Sequence, residues 1–136
     1  MREDEVQLIV VDAANVVGSR PDGWWRDRVG ATRRLLEQLA TSGAGLGRPV
    51  EVVVVLEGAA KAALTDETKP DFENLRVLLA DGSGDDAVVG AVAAAAEQYG
   101  NRSITVVTAD RELRARVEAI GADTAGPRWL LARIDS

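Results

Sequence analysis

Apolar positions along the chain fall into short, nearly continuous runs that alternate with longer stretches of helical spacing. The first run, Val6 to Val11, is broken only by Gln7 and stops at Asp12, as expected of a strand covered on both faces. A polar loop containing Gly and Pro follows from Gly18 to Gly23. From Trp24 to Ala40 the residues Trp25, Val29, Thr32, Leu35, Leu36 and Leu39 recur near a helical period, with Arg26, Asp27, Arg33, Arg34 and Glu37 left for the other face. This predicts one crossover helix with Trp25 in the core. Gly43 to Gly47 is a flexible break, and Val50 to Leu56 is a second strand rich in β-branched residues.

The stretch Gly58 to Asn74 is harder to place. Ala59 to Leu64 has the composition of a short helix, whereas Thr65 to Asp71 is charged, contains Pro70 and is expected to form a mobile loop over the active edge. Leu75 to Ala80 is a third strand, and the turn Asp81-Gly82-Ser83-Gly84 leads into a helix from Asp85 to Tyr99. Ser103 to Thr108 is a fourth strand, and the helix Asp110 to Ile120 ends at Gly121 as a C-cap would. A short strand near Ala122 to Ala125 and a terminal segment Arg128 to Ile134 follow. Repeated strand-then-helix order calls for an α/β fold with a mostly parallel central sheet and right-handed crossovers. No repeat or linker divides residues 1–136, so a single domain is expected.

Composition narrows the chemistry. The 136 residues include no Cys and no His, which excludes zinc sites built from those ligands, disulfides and any His-based general base. Carboxylate, amide, hydroxyl, Lys and Arg remain, and oxygen-only ligand sets favour hard ions such as Mg²⁺ or Mn²⁺. The acidic start, Met1 to Glu5, reads as neither signal nor transit peptide, and the longest nearly uncharged segment, Ala87 to Ala96, is too short for a membrane span. A soluble, cytoplasmic protein is the expectation. A net charge of −6 argues against loose adhesion to nucleic acid, but not against a basic rim around an acidic centre.

Five acidic residues stand where this order of elements would gather them at one edge: Asp12, Glu57, Asp85, Asp86 and Asp110. Parallel strands bring their carboxyl ends together, and open α/β sheets place ligands there. Like charges ~4 Å apart repel by about 4 kcal/mol at an effective dielectric of ~20, so such a cluster calls for a cation or shared protons. Each acid also has a plainer reading. Asp12 and Asn15 suit a turn, Asp85 or Asp86 a helix start with Ser83 in capping-box spacing, Asp110 an N-cap, and Glu57 a solvated strand end. Neighbouring helical residues point about 100° apart, so one of the Asp85–Asp86 pair is expected to face the metal and the other to support it. Asp86 is the preferred ligand, with Asp85 close behind. Convergence of carboxylates from four successive segments is what independent capping would not require.

Val10-Val11-Asp12-Ala13-Ala14-Asn15-Val16-Val17-Gly18, Val53-Val54-Val55-Leu56-Glu57-Gly58, Gly84-Asp85-Asp86 and Val106-Val107-Thr108-Ala109-Asp110-Arg111 resemble the ordered motifs of NYN domains, which are PIN-like nucleases. The bacterial YacP-like group is the nearest likeness. The resemblance runs through most of the chain and implies a three-layer α/β/α sandwich of PIN/FEN (Rossmann-like) type. It also implies metal-dependent endoribonuclease activity with Mg²⁺ or Mn²⁺. Asp12, Asn15, Asp85, Asp86 and Asp110 match the family's catalytic positions. Asp12, Asp86 and Asp110 would hold metal, with Glu57 assisting. RNA, single-stranded or structured, is the implied substrate, and the ribosome or RNA-processing proteins are the implied partners. Two departures stand out: Ala13 occupies a place where Gly is usual, and Glu57 replaces an aspartate common after the second strand.

A substrate rim is suggested by the segment after the first strand, where Arg20, Arg26 and Arg28 would meet phosphates and Trp24 would stack an unpaired base. Arg111, with Arg114 and Arg128, would extend it, although arginines on helices usually form a solvated face. The competing reading is a catalytically silent NYN-like domain that binds RNA or a protein. A phosphate-handling receiver or phosphatase is disfavoured, because Asp12 lacks a second Asp two residues on and no Lys follows the last strand.

Overall fold

The computed structural model describes residues 7–20, 23–42, 50–58, 75–98 and 103–134. Five strands form one parallel sheet: β1 (Gln7–Asp12), β2 (Val50–Leu56), β3 (Leu75–Leu79), β4 (Ile104–Val107) and β5 (Asp123–Ala125), in the order β3-β2-β1-β4-β5. The helices are α1 (Ala13–Gly18), α2 (Arg28–Ser42), α3 (Gly84–Gln98), α4 (Arg111–Glu118) and α5 (Pro127–Ile134), with a 3₁₀ turn at Trp24–Arg26. The expected α/β architecture is thus present, helices covering both faces of a parallel sheet.

The alternation of side chains along each strand builds two cores from one apolar run. Ile9, Val11, Val52, Val54 and Leu56 pack with Val16, Leu35, Leu36, Leu39, Leu130 and Ile134 from α1, α2 and α5. Leu8, Val10, Val53, Val55, Ile104 and Val106 face Val88, Val92, Leu113 and Val117 from α3 and α4. The chain steps outward from β1 to β2 to β3, then crosses back through α3 to β4. Right-handed crossovers therefore put α3 and α4 on the face opposite α2. That reversal between β1 and β4 opens the crevice at the carboxyl ends of the strands.

Three expectations change in detail. The helix predicted over Trp24 to Ala40 is divided, because Asp27 accepts the Gly30 N–H at 2.9 Å and so caps a helix that starts at Arg28. Trp25, expected in the core, falls outside the helical register and is 59% exposed. Directly after Asp12 the chain forms α1, an element the apolar pattern did not separate from the strand. Ala13 is helical there and 1% exposed, so the residue in place of Gly meets no left-handed backbone. Gly121 has φ 98°, the conformation its place as helix terminator predicts. The helix and loop expected over 59–74 lie outside the described residues.

Candidate active site

Asp12 ends β1, and pairing in register with β2 and β4 brings it beside the ends of both neighbours. It is 8% exposed, and its Oδ2 accepts the Thr108 hydroxyl at 2.9 Å. Thr108 is fully buried just beyond β4, and its oxygen also accepts the Asp110 N–H at 3.2 Å. Asn15, from the first turn of α1, accepts the Ala109 N–H through Oδ1 at 2.8 Å. Two side-chain bonds thus tie the segment after β1 to the segment after β4. They fix the relative positions of Asp12 and Asp110 from motifs nearly 100 residues apart.

Asp110 caps α4, its Oδ1 accepting from the Glu112 N–H at 2.9 Å and the Leu113 N–H at 3.1 Å. Glu57, just past β2, accepts the Gly84 N–H at 2.7 Å through Oε2. Each of these carboxylates uses one named oxygen for the fold, Oδ2 of Asp12, Oδ1 of Asp110 and Oε2 of Glu57.

Electrostatics identifies which acids share a centre. Burial raises the pKa of Asp12 above its ordinary value, and the charges of Asp85 and Glu57 push the same way; the Thr108 hydroxyl and the Asn15 backbone amide oppose them. Asp85 is likewise raised, by partial burial and then by Asp110, Glu57 and Asp86, with Arg116 opposing. Asp85 is thus the member of the acidic pair whose charge is felt at Asp12 and which in turn feels Asp110 and Glu57. Asp86, preferred from the sequence, has a side chain 72% exposed and pairs with Arg116 at 3.0 Å. The helical phase accounts for this difference in exposure. Ser83 accepts the Asp86 N–H at 3.3 Å, so the helix starts where the capping spacing predicts and its second residue turns inward. Among the described residues no three carboxylates stand close enough to enclose an ion as placed.

The expected basic rim is only partly assembled. Arg20 is half-buried and donates to Gln38 Oε1 at 2.7 Å, which anchors the turn after α1 to α2. Arg26 and Arg28 are exposed around the start of α2, with the Arg26 guanidinium 6.0 Å from the Trp25 ring centre. The Trp24 side chain lies outside the described residues, and Trp25 is the exposed indole of this segment. Arg111 is exposed next to Asp110.

No family model matches the chain, and no curated protein matches it. Solved structures do: with a TM-score of 0.70, 20% identity and cover of 95% of this chain and 74% of the other, it aligns with Rae1 (YacP) from Bacillus subtilis. The fold is that of YacP. A tryptophan-to-leucine mutant of the same protein aligns with a TM-score of 0.73 at 18% identity, covering 95% of this chain and 75% of that one. At the level of fold, the likeness to the YacP-like NYN group read from the motifs is borne out.

Sequence reasoning missed Thr108 and Gly84. A buried hydroxyl two residues before a capping Asp, at the end of a strand, was the available signal for the first. Thr108→Val is expected to destabilise the protein by about 1–2 kcal/mol, because it strips a partner from both the buried Asp12 carboxylate and the Asp110 N–H. Thr108→Ser should recover most of that loss, as read by thermal or urea unfolding.

Proposed function

We propose that this chain is a metal-dependent endoribonuclease that hydrolyses RNA phosphodiester bonds at the acidic edge formed by Asp12, Asp85 and Asp110. The observation that carries the reading is a buried Asp12 at the end of β1, tied through Thr108 and Asn15 to the segment that bears Asp110, on a fold shared with YacP; burial raises the Asp12 pKa, and the charges of Asp85 and Glu57 add to it. The donor set fits Mg²⁺ or Mn²⁺: the candidate ligand atoms are carboxylate, hydroxyl or amide oxygens, and the charges oppose one another without a cation. Such ions are commonly held by one or two carboxylates with water completing the shell, so a ready-made cage of three is not required. Asp12 and Asp85 would hold the ion, with Asp110 adding negative charge to the same edge.

When bound there, a divalent ion supplies Lewis acidity toward the phosphodiester and lowers the pKa of a water in its shell. The residues of the chain do the rest. Thr108 and the Asn15–Ala109 bond keep Asp12 and Asp110 in fixed relation, so that little reorganisation accompanies reaction. The Asn15 Oδ1 is engaged by Ala109, which leaves its amide nitrogen as the donor suited to a phosphate oxygen. Arg26, Arg28 and Arg111 provide positive charge around the acidic centre, and Trp25 in place of Trp24 offers an exposed ring for an unpaired base. These features favour single-stranded segments of RNA. No described helix is long and apolar enough to cross a membrane.

Incubation of the purified protein with RNA and Mn²⁺ tests the reading, with EDTA and two variants as controls. Asp85→Asn is expected to reduce cleavage by about 10–100-fold, since it removes a charge the ion needs. Asp86→Asn, which breaks only an exposed ion pair, should leave the rate close to wild type. RNA binding without cleavage would instead support a catalytically silent NYN-like domain. The same assay with ribosomes or RNA-processing proteins added would test those partners.

A further inference from the structure

Gly84 is the first residue of α3 and is buried. Helix geometry leaves its N–H without an intrahelical acceptor, and an N-cap side chain reaches the second or third amide of a helix rather than the first. Ser83 accordingly accepts from Asp86, the third residue. The first amide is satisfied from elsewhere in the fold, by Glu57 Oε2 at 2.7 Å from 27 residues upstream. The fit is close on both sides. A methyl group added at Gly84 would meet the Glu57 carboxyl carbon at 2.7 Å and its oxygens at 2.8 and 2.9 Å. Gly84 is not among the glycines with positive φ, so its missing side chain serves this approach and not the backbone conformation.

We infer that Glu57 is a positioning residue, whose carboxylate latches the first amide of α3 in a space kept open by Gly84, and so holds Asp85 toward Asp12 and Asp110. Glu57, expected from the sequence to assist as a metal ligand, is reassigned to the helix start. The glutamate is one methylene longer than aspartate, and that length is what carries the carboxylate from the end of β2 to α3. Positions 57 and 84 therefore act as a pair. The inference rests on the nuclease reading only in its last step, that the Asp85 so placed serves metal.

Thermal unfolding of the metal-free protein tests the latch. Gly84→Ala is expected to lower the midpoint in the wild-type background, because the methyl displaces the carboxylate. In a Glu57→Ala background the same substitution should raise the midpoint, since alanine is the better helix former once nothing occupies the space. The same sign in both backgrounds would overturn the inference. Calorimetric titration with Mn²⁺ tests the consequence for Asp85. Glu57→Ala is expected to weaken binding by about tenfold, as loss of a residue that orients a ligand does. Glu57→Gln keeps an amide oxygen for the Gly84 N–H and should bind closer to wild type than Asp85→Asn does. Equal losses in Glu57→Gln and Asp85→Asn would make Glu57 a ligand and overturn the assignment. If the wild-type protein takes up no Mn²⁺, the metal proposal fails, and the sign reversal in unfolding still decides the latch.

Discussion

Asp12→Asn is expected to lower RNA cleavage by about a thousandfold, the scale of losing a central electrostatic group, while the metal-free protein becomes more stable at neutral pH. The two effects share a cause. In the folded chain, burial and the charges of Asp85 and Glu57 oppose ionisation of Asp12, so its pKa lies above the unfolded value. A carboxyl raised in this way contributes stability that is fully present below its unfolded pKa and is lost as pH rises through the folded pKa. Asparagine keeps an oxygen for the Thr108 hydroxyl and carries no charge to be penalised. The gap in melting temperature between variant and wild type should therefore open as pH rises out of the acid range and be largest near neutrality. A variant that is less stable than wild type at pH 7, or one that still cleaves RNA, would contradict the assignment of Asp12 as the central acid.

How much of this was legible in the sequence depends on what each feature rests on. The strands were readable because β1 and β2 are buried on both faces, and such strands leave a nearly continuous apolar run. The placement of Asp12, Glu57 and Asp110 at or just past strand ends was readable because each follows an apolar strand run directly. The start of α2 was not: a single bond from Asp27 to the Gly30 N–H resets the helix, and spacing alone placed Trp25 on the wrong side of that boundary. Which of Asp85 and Asp86 is the less exposed was not readable either. It turns on a helical phase of about 100° per residue, set by which residue caps α3. The Ser83–Asp86 capping spacing is visible in the sequence, but it accounts for one acid without giving the direction of the other. Glu57 was opaque for a different reason, since its partner is a backbone amide and leaves no mark except a glycine at position 84.

Adding Mn²⁺ should raise the melting temperature at pH 7 and lose that effect as the solution is acidified. A ligand that binds only the folded state stabilises it by about 2.7 kcal/mol at a hundred times its dissociation constant, so the shift is measurable even for modest affinity. The pH dependence carries the discrimination. The ion requires ionised Asp12 and Asp85, and both have pKa values raised above the ordinary carboxylate value, Asp12 chiefly by burial and Asp85 by partial burial and then Asp110. Protons should therefore displace the ion at a higher pH than solvated carboxylates would allow. Over the same interval the metal-free protein moves in the opposite direction, gaining stability as the two carboxyls protonate. The curves with and without Mn²⁺ should thus converge toward low pH and separate toward neutrality. Asp12→Asn should abolish most of the separation, whereas Asp86→Asn should preserve it, because Asp86 is spent on Arg116 at the surface. A Mn²⁺ shift that is constant with pH, or that survives in Asp12→Asn, would place the cation elsewhere and remove the electrostatic basis for hydrolysis at this edge.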